Sequence, residues 1–88
     1  MKYTVAWKPS AADRLAKIWM AASDLSSVAA AADAIDRLLK EDPASQGESR
    51  SGNTRILILQ PLAVVYEIVE SDRLVAVLAV RHTPGRQS

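Results

Sequence analysis

The sequence predicts an α+β domain: an N-terminal strand, a helical hairpin, then a three-stranded antiparallel meander, in the order β-α-α-β-β-β. Three observations carry this. Residues 2–7 alternate with period two, residues 11–39 carry two apolar stripes at helical spacing, and residues 54–81 hold three apolar runs separated by short turn signals. The 88 residues make one domain, 1–88. A chain of this size hides only about 60–65% of its unfolded surface, so its core is thin.

In the first strand Tyr3, Val5 and Trp7 share one side, with Lys2, Thr4 and Ala6 on the other. Pro9-Ser10 stops it, and Ser10 is placed to cap a helix. The apolar positions Ala11, Leu15, Ile18, Trp19 and Ala22 then lie on one helical face. Ser23–Ser27 break this pattern, and a second stripe follows through Val28, Ala31, Ala32, Ile35, Leu38 and Leu39. Asp42-Pro43 ends it, because the residue before proline resists the α conformation. The short link makes the two helices an antiparallel pair.

Residues 44–53 read as a polar loop rich in turn formers. Three strands follow: Thr54–Gln60, Leu62–Glu70 and Arg73–Arg81, with Ser71-Asp72 as a two-residue turn. Residues 82–88, containing Pro84-Gly85, read as a flexible tail. Strict alternation in the last two strands gives two faces that are both largely apolar. One carries Leu62, Val64, Tyr66 and Ile68; the other carries Val65, with Val75, Val77 and Ala79 assigned beside it. Two short helices cover only one face of a sheet, so the second calls for a protein partner.

Composition narrows the chemistry. There is no cysteine, hence neither a disulfide nor a thiolate metal site, and no metal or other cofactor is expected. No apolar stretch approaches the ~20 residues of a membrane helix, and the first residues lack the apolar core of a signal peptide. The expected setting is therefore the cytoplasm, with no membrane partner. Net charge is only +1, but it is unevenly spread. Lys2, Lys8, Arg14 and Lys17 meet only Asp13 in residues 1–22, residues 23–43 are acidic, and Arg73, Arg81 and Arg86 follow with no later acid. Trp7 and Trp19 read as core anchors, and Arg37 as a helix ion pair among acidic neighbours.

Six segments in this order carry a resemblance. They are Lys2–Ser10, Ala12-Asp13-Arg14-Leu15, Ile35-Asp36-Arg37-Leu38, Thr54-Arg55-Ile56-Leu57, Val64-Val65-Tyr66-Glu67-Ile68 and Val77-Leu78-Ala79-Val80-Arg81-His82. Together they resemble the RelE/ParE superfamily of bacterial toxins over nearly the whole chain. The resemblance implies the toxin half of a type II toxin–antitoxin pair of the plasmid-stabilisation type, silenced by an antitoxin that wraps it. It implies one of two targets, mRNA in the ribosomal A site or DNA gyrase.

Metal-free RNA cleavage requires activation of a 2′-hydroxyl, stabilisation of a pentacovalent phosphate and protonation of the leaving oxygen. The catalytic candidates are Arg55, Arg81 and His82: the arginines for the phosphate, the sole histidine as acid or base. Arg50, Arg55, Arg73 and Arg86 are the candidates for binding RNA or another target, and Val65, Val75, Val77 and Ala79 for facing the antitoxin. The resembling nucleases commonly carry arginine three residues before the meander tyrosine, where this chain has Ala63, and the tail has no tyrosine. Tyr66 reads as core, and Arg81 has Glu67 and Glu70 as possible partners. Three readings stand at this point: a gyrase inhibitor without chemistry, which Ala63 and the tail favour; a ribosome-dependent endoribonuclease; and an attenuated toxin serving as an antitoxin-binding scaffold.

Overall fold

The computed structural model describes residues 2–83; Arg86 and the other residues of the expected tail beyond Thr83 lie outside them. Strand β1 (Thr4–Trp7) leads into helices α1 (Pro9–Ala21) and α2 (Leu25–Glu41). A single 3-10 turn, Pro43–Ser45, precedes β2 (Glu48–Ser51), β3 (Thr54–Leu59), β4 (Leu62–Val69) and β5 (Leu74–His82). The five strands form one mixed sheet in the order β1-β5-β4-β3-β2. The β3-β4-β5 meander is antiparallel, as expected, and β1 closes onto β5 in parallel.

Local chemistry explains most boundaries. Helix α1 starts one residue before the expected cap: Lys8 occupies the N-cap without a side-chain bond, and Pro9 follows with its φ already helical and no N–H to satisfy. Helix α2 is capped by Asp24. Its carboxylate accepts from the Ser27 N–H at 3.2 Å, the Ser27 hydroxyl at 2.6 Å and the Ser26 hydroxyl at 2.9 Å. These bonds, led by that of the Ser27 hydroxyl, hold the Asp24 carboxyl below its ordinary value.

The polar stretch after α2 holds a strand that alternation could not reveal. Glu48–Ser51 has no apolar residue, yet it pairs antiparallel with β3 through the Gly52-Asn53 turn. Gly47 and Gly52 both have left-handed φ, 62° and 55°. At Gly47 a β-carbon would sit 2.0 Å from the Ile56 carbonyl oxygen, so only glycine permits this approach. The β4–β5 link is also not the two-residue turn of the sequence reading. It is a 3-10 turn, Glu70–Asp72, followed by Arg73 at φ 50°.

The helices cover one face of the sheet. Ala11, Ile18, Val28, Ala31, Ile35 and Leu39 meet Leu57, Leu62, Val64, Tyr66, Ile68, Val75, Val77 and Val80 in the buried cluster. Full burial of one aliphatic side chain contributes about 1.5–3 kcal/mol, so this layer dominates stability. Trp19 is not the anchor expected: it is 41% exposed, and Met20 beside it is 82% exposed. With Trp7, Ala12, Leu15 and Ala16 they line an apolar depression of about 460 Å³. No described helix is long and apolar enough to cross a membrane.

The decisive irregularity lies in β5. Val65 pairs with Ala79 and Tyr66 with Val77, leaving Leu78 as an extra residue between them. The bulge changes the parity of the strand, so Val75, Val77 and Val80 all face the helices. Val75 and Val77, assigned by alternation to the open face, are instead fully buried core residues at 0% exposure. Leu74, Ala76, Ala79 and Arg81 take the open face through their partners Val69, Glu67, Val65 and Ala63.

Candidate functional site: a basic depression on the open sheet face

The sheet face away from the helices is built by β3, β4 and β5. Cross-strand partners share a face, so Ile56, Val65 and Ala79 form one row and Ile58, Ala63 and Arg81 the next. Ile58 is 60% exposed. Arg50 reaches this surface from β2, where the pairing with β3 shifts between Ser49 and Ser51. Arg50 and Arg81 thereby line one depression of about 290 Å³, floored by Ile56, Ala63, Val65 and Ala79. Two guanidinium groups around an apolar floor suit a ligand that is anionic at its edge and apolar at its centre.

The arginines there are available. Ion pairs among the described residues are Lys2–Glu41, Lys17–Asp13, Arg37–Asp33 and Lys40–Asp36. The last three are ordinary helical pairs, Arg37 among them as read from the sequence. Arg81 does not meet Glu67 or Glu70; both oxygens of Glu70 accept from the Tyr3 hydroxyl at 3.0 Å.

The other sequence candidates are dispersed. His82 follows Arg81 within β5 and, opposite Leu62, belongs to the helix side of the sheet, where it is exposed. Adjacent residues of a strand point to opposite faces, so Arg81 and His82 do not converge. His82 is also no part of a loose tail: it is the last residue of β5, and the next N–H, of Thr83, donates to the Pro61 carbonyl at 2.6 Å.

Arg55 also lies on the helix side, in register with Tyr66. Its Nε donates to the Gln46 carbonyl at 2.9 Å and its Nη2 to the Gly47 carbonyl at 3.2 Å. The Tyr66 hydroxyl is shared between the carbonyls of Pro43 and Gln46, 2.8 Å from each. Burial raises the Tyr66 phenol above its ordinary value, and the hydrogen bond with Arg55 pulls the other way. These two side chains clasp the turn between α2 and β2.

Arg73 stands at the far end of β5, its guanidinium 5.3 Å from the Tyr3 ring centroid. Arg86 falls outside the described residues. Of the described residues proposed from sequence for catalysis or target binding, Arg50 and Arg81 share a depression. Among the described residues no cluster of three or more His, Asp or Glu could hold a metal ion. Sequence reasoning gave Arg14 no role beyond local charge; in the structure it lines a second depression with Arg81.

The sequence matches the family model of the ParE toxin of the type II toxin–antitoxin system parDE over residues 5–84. The chain belongs to this toxin family. Solved structures agree on the fold. A chain of the Mycobacterium tuberculosis toxin–antitoxin complex RelBE2 superposes with a TM-score of 0.73 at 23% identity, covering 93% of this chain and 99% of that one. A chain of the chromosomal ParDE system of P. aeruginosa gives 0.68 at 15% identity, covering 93% and 97%. A chain of the intact E. coli RelBE complex gives 0.68 at 15%, covering 97% and 99%. At such identities the likeness carries the fold alone. No curated protein matches this toxin by sequence.

Proposed function

We propose that this toxin arrests growth in the cytoplasm by binding DNA gyrase and performs no chemistry itself, and that a cognate antitoxin neutralises it by covering the open sheet face. The observation that carries this reading is the dispersal of the catalytic candidates. Arg55 is committed to backbone carbonyls on the helix side, His82 belongs to that side too, and Arg81 stands across from Ala63 on the other. An RNA-cleaving centre needs its acid, base and phosphate clamp around one scissile bond. Removing one preorganised donor from such a centre costs about 2.7–4 kcal/mol of transition-state stabilisation, or a hundredfold and more in rate. The match to the ParE family supports the same reading.

The test is a supercoiling assay with purified gyrase. Inhibition is expected as toxin approaches the enzyme concentration, with mRNA intact in cells during arrest. Normal supercoiling at excess toxin would overturn the gyrase reading. A second reading, ribosome-dependent mRNA cleavage of the RelE type, draws on Arg50 and Arg81 lining one depression, an arrangement that suits a phosphate. Fragmented mRNA during arrest, relieved by Arg81→Ala, would establish it instead.

A further inference from the structure

Two depressions meet at Arg81. The first is the one it shares with Arg50. The second, about 250 Å³, brings Ser10 and Arg14 of α1 against Leu78, Ala79 and Arg81 of β5. The topology explains the meeting. Strand β1 pairs only with Leu74–Val77, so no described strand covers that edge of β5 beyond Val77, and the start of α1 lies beside it. The extra residue Leu78 falls at this point.

Arg50, Arg81 and Arg14 therefore mark a basic line from the β2 edge, across the sheet, to α1. None of the three belongs to an ion pair among the described residues, whereas Lys2, Lys17, Arg37 and Lys40 all do. Between the ends the surface is aliphatic, through Ile56, Val65 and Ala79. No aromatic side chain lines either depression. A single-stranded nucleic acid gains much of its affinity by stacking bases on aromatic rings, and this surface has none to provide.

Spacing identifies what fits. From β2 to β5 is three strand spacings, about 14 Å, and residues i and i+4 of an extended chain lie about 13 Å apart on one face. We infer that the line seats an extended antitoxin segment of the pattern acid–x–aliphatic–x–acid. One carboxylate meets Arg50, the aliphatic side chain covers Ile56 and Val65, and the second carboxylate lies between Arg81 and Arg14. This rests on the reading of the chain as a toxin held by a protein partner, and it adds Arg14 and the chemistry of the segment that holds it.

The experiment titrates fluorescently labelled full-length cognate antitoxin with wild-type toxin and with Arg14→Gln, Arg14→Lys, Arg81→Gln and Arg37→Gln, at low and high salt. Arg14→Gln is expected to weaken binding roughly tenfold and Arg81→Gln more, as loss of a charged interfacial partner does. Arg14→Lys should recover most of the loss, Arg37→Gln should bind as wild type, and the differences should shrink in high salt. Matching thermal melts separate lost contact from lost fold. Arg14→Gln binding as tightly as wild type, with Arg81→Gln impaired, would overturn the inference and leave the toxin–antitoxin reading intact. An oligouridylate that competes with antitoxin through Arg14 and Arg81 would also overturn it. Failure of wild-type toxin to bind antitoxin would overturn both.

Discussion

Arg55 and Tyr66 show how one pair of side chains determines what a residue type means. A guanidinium and a phenol beside each other in register resemble catalytic apparatus in a list of residues. Here both spend their polar atoms on the carbonyls of residues 43–47. Tyr66→Phe should lower stability by about 1 kcal/mol, because it removes the hydroxyl shared by two carbonyls while each keeps one other donor. Arg55→Ala should do similarly. Both donate to the Gln46 carbonyl, and either single variant leaves it one of these donors, so the double variant should cost more than the sum of the singles in urea denaturation. Strict additivity would show that the two bonds are independent.

At the scale of elements, the bulge in β5 decides which residues face outward. Every residue from Leu74 to Val80 is apolar, so a one-residue shift leaves no trace in the alternation. That is why alternation puts Val75 and Val77 on the wrong face and still puts Val65 and Ala79 on the open one. Deleting Leu78 should leave Val80 facing in and Arg81 facing out, because it removes only the unpaired residue. A cooperative thermal melt is expected from that variant, with a lower Tm. Deleting Val65 turns Tyr66 outward and should abolish the transition. Strand β2 was hidden for a different reason: Glu-Ser-Arg-Ser has no hydrophobic face to betray it. A short polar edge strand of this kind resists pairing with other chains, which suits its place at the border of the sheet.

For the whole molecule, the architecture was legible because it follows from patterns that survive tertiary packing. The two helical stripes and the three apolar runs all map onto elements seen in the structure. The site was legible only in part. Arg50 and Arg81 came together through β2 pairing and the bulge, neither of which the sequence displays, and Arg14 joined them through the early end of β1. The exposure of Trp19 was equally hidden, since a residue at the margin of a helical stripe reads the same whether or not a neighbour covers it. The molecule thus presents two apolar surfaces, the open sheet face and the depression around Trp19 and Met20. Free toxin should self-associate with rising concentration in light scattering. Replacing both side chains, Trp19→Gln with Met20→Glu, should reduce this while moving the Tm by only a few degrees. Unchanged scattering would place self-association on the sheet face instead.

The parallel pairing of β1 with β5 has a consequence for how the toxin is made. Residues 4–7 find their partners at residues 74–77, and β5 is the strand that both β1 and β4 flank. A ribosome delivers β1 first and β5 last of the strands. Until β5 emerges, β1 has no sheet to join and the helices have only part of their floor. The basic line through Arg14, Arg50 and Arg81 is likewise incomplete until that strand arrives. For most of its synthesis the growing chain therefore lacks the surface we infer for the antitoxin, which is complete only once the last strand has joined the sheet.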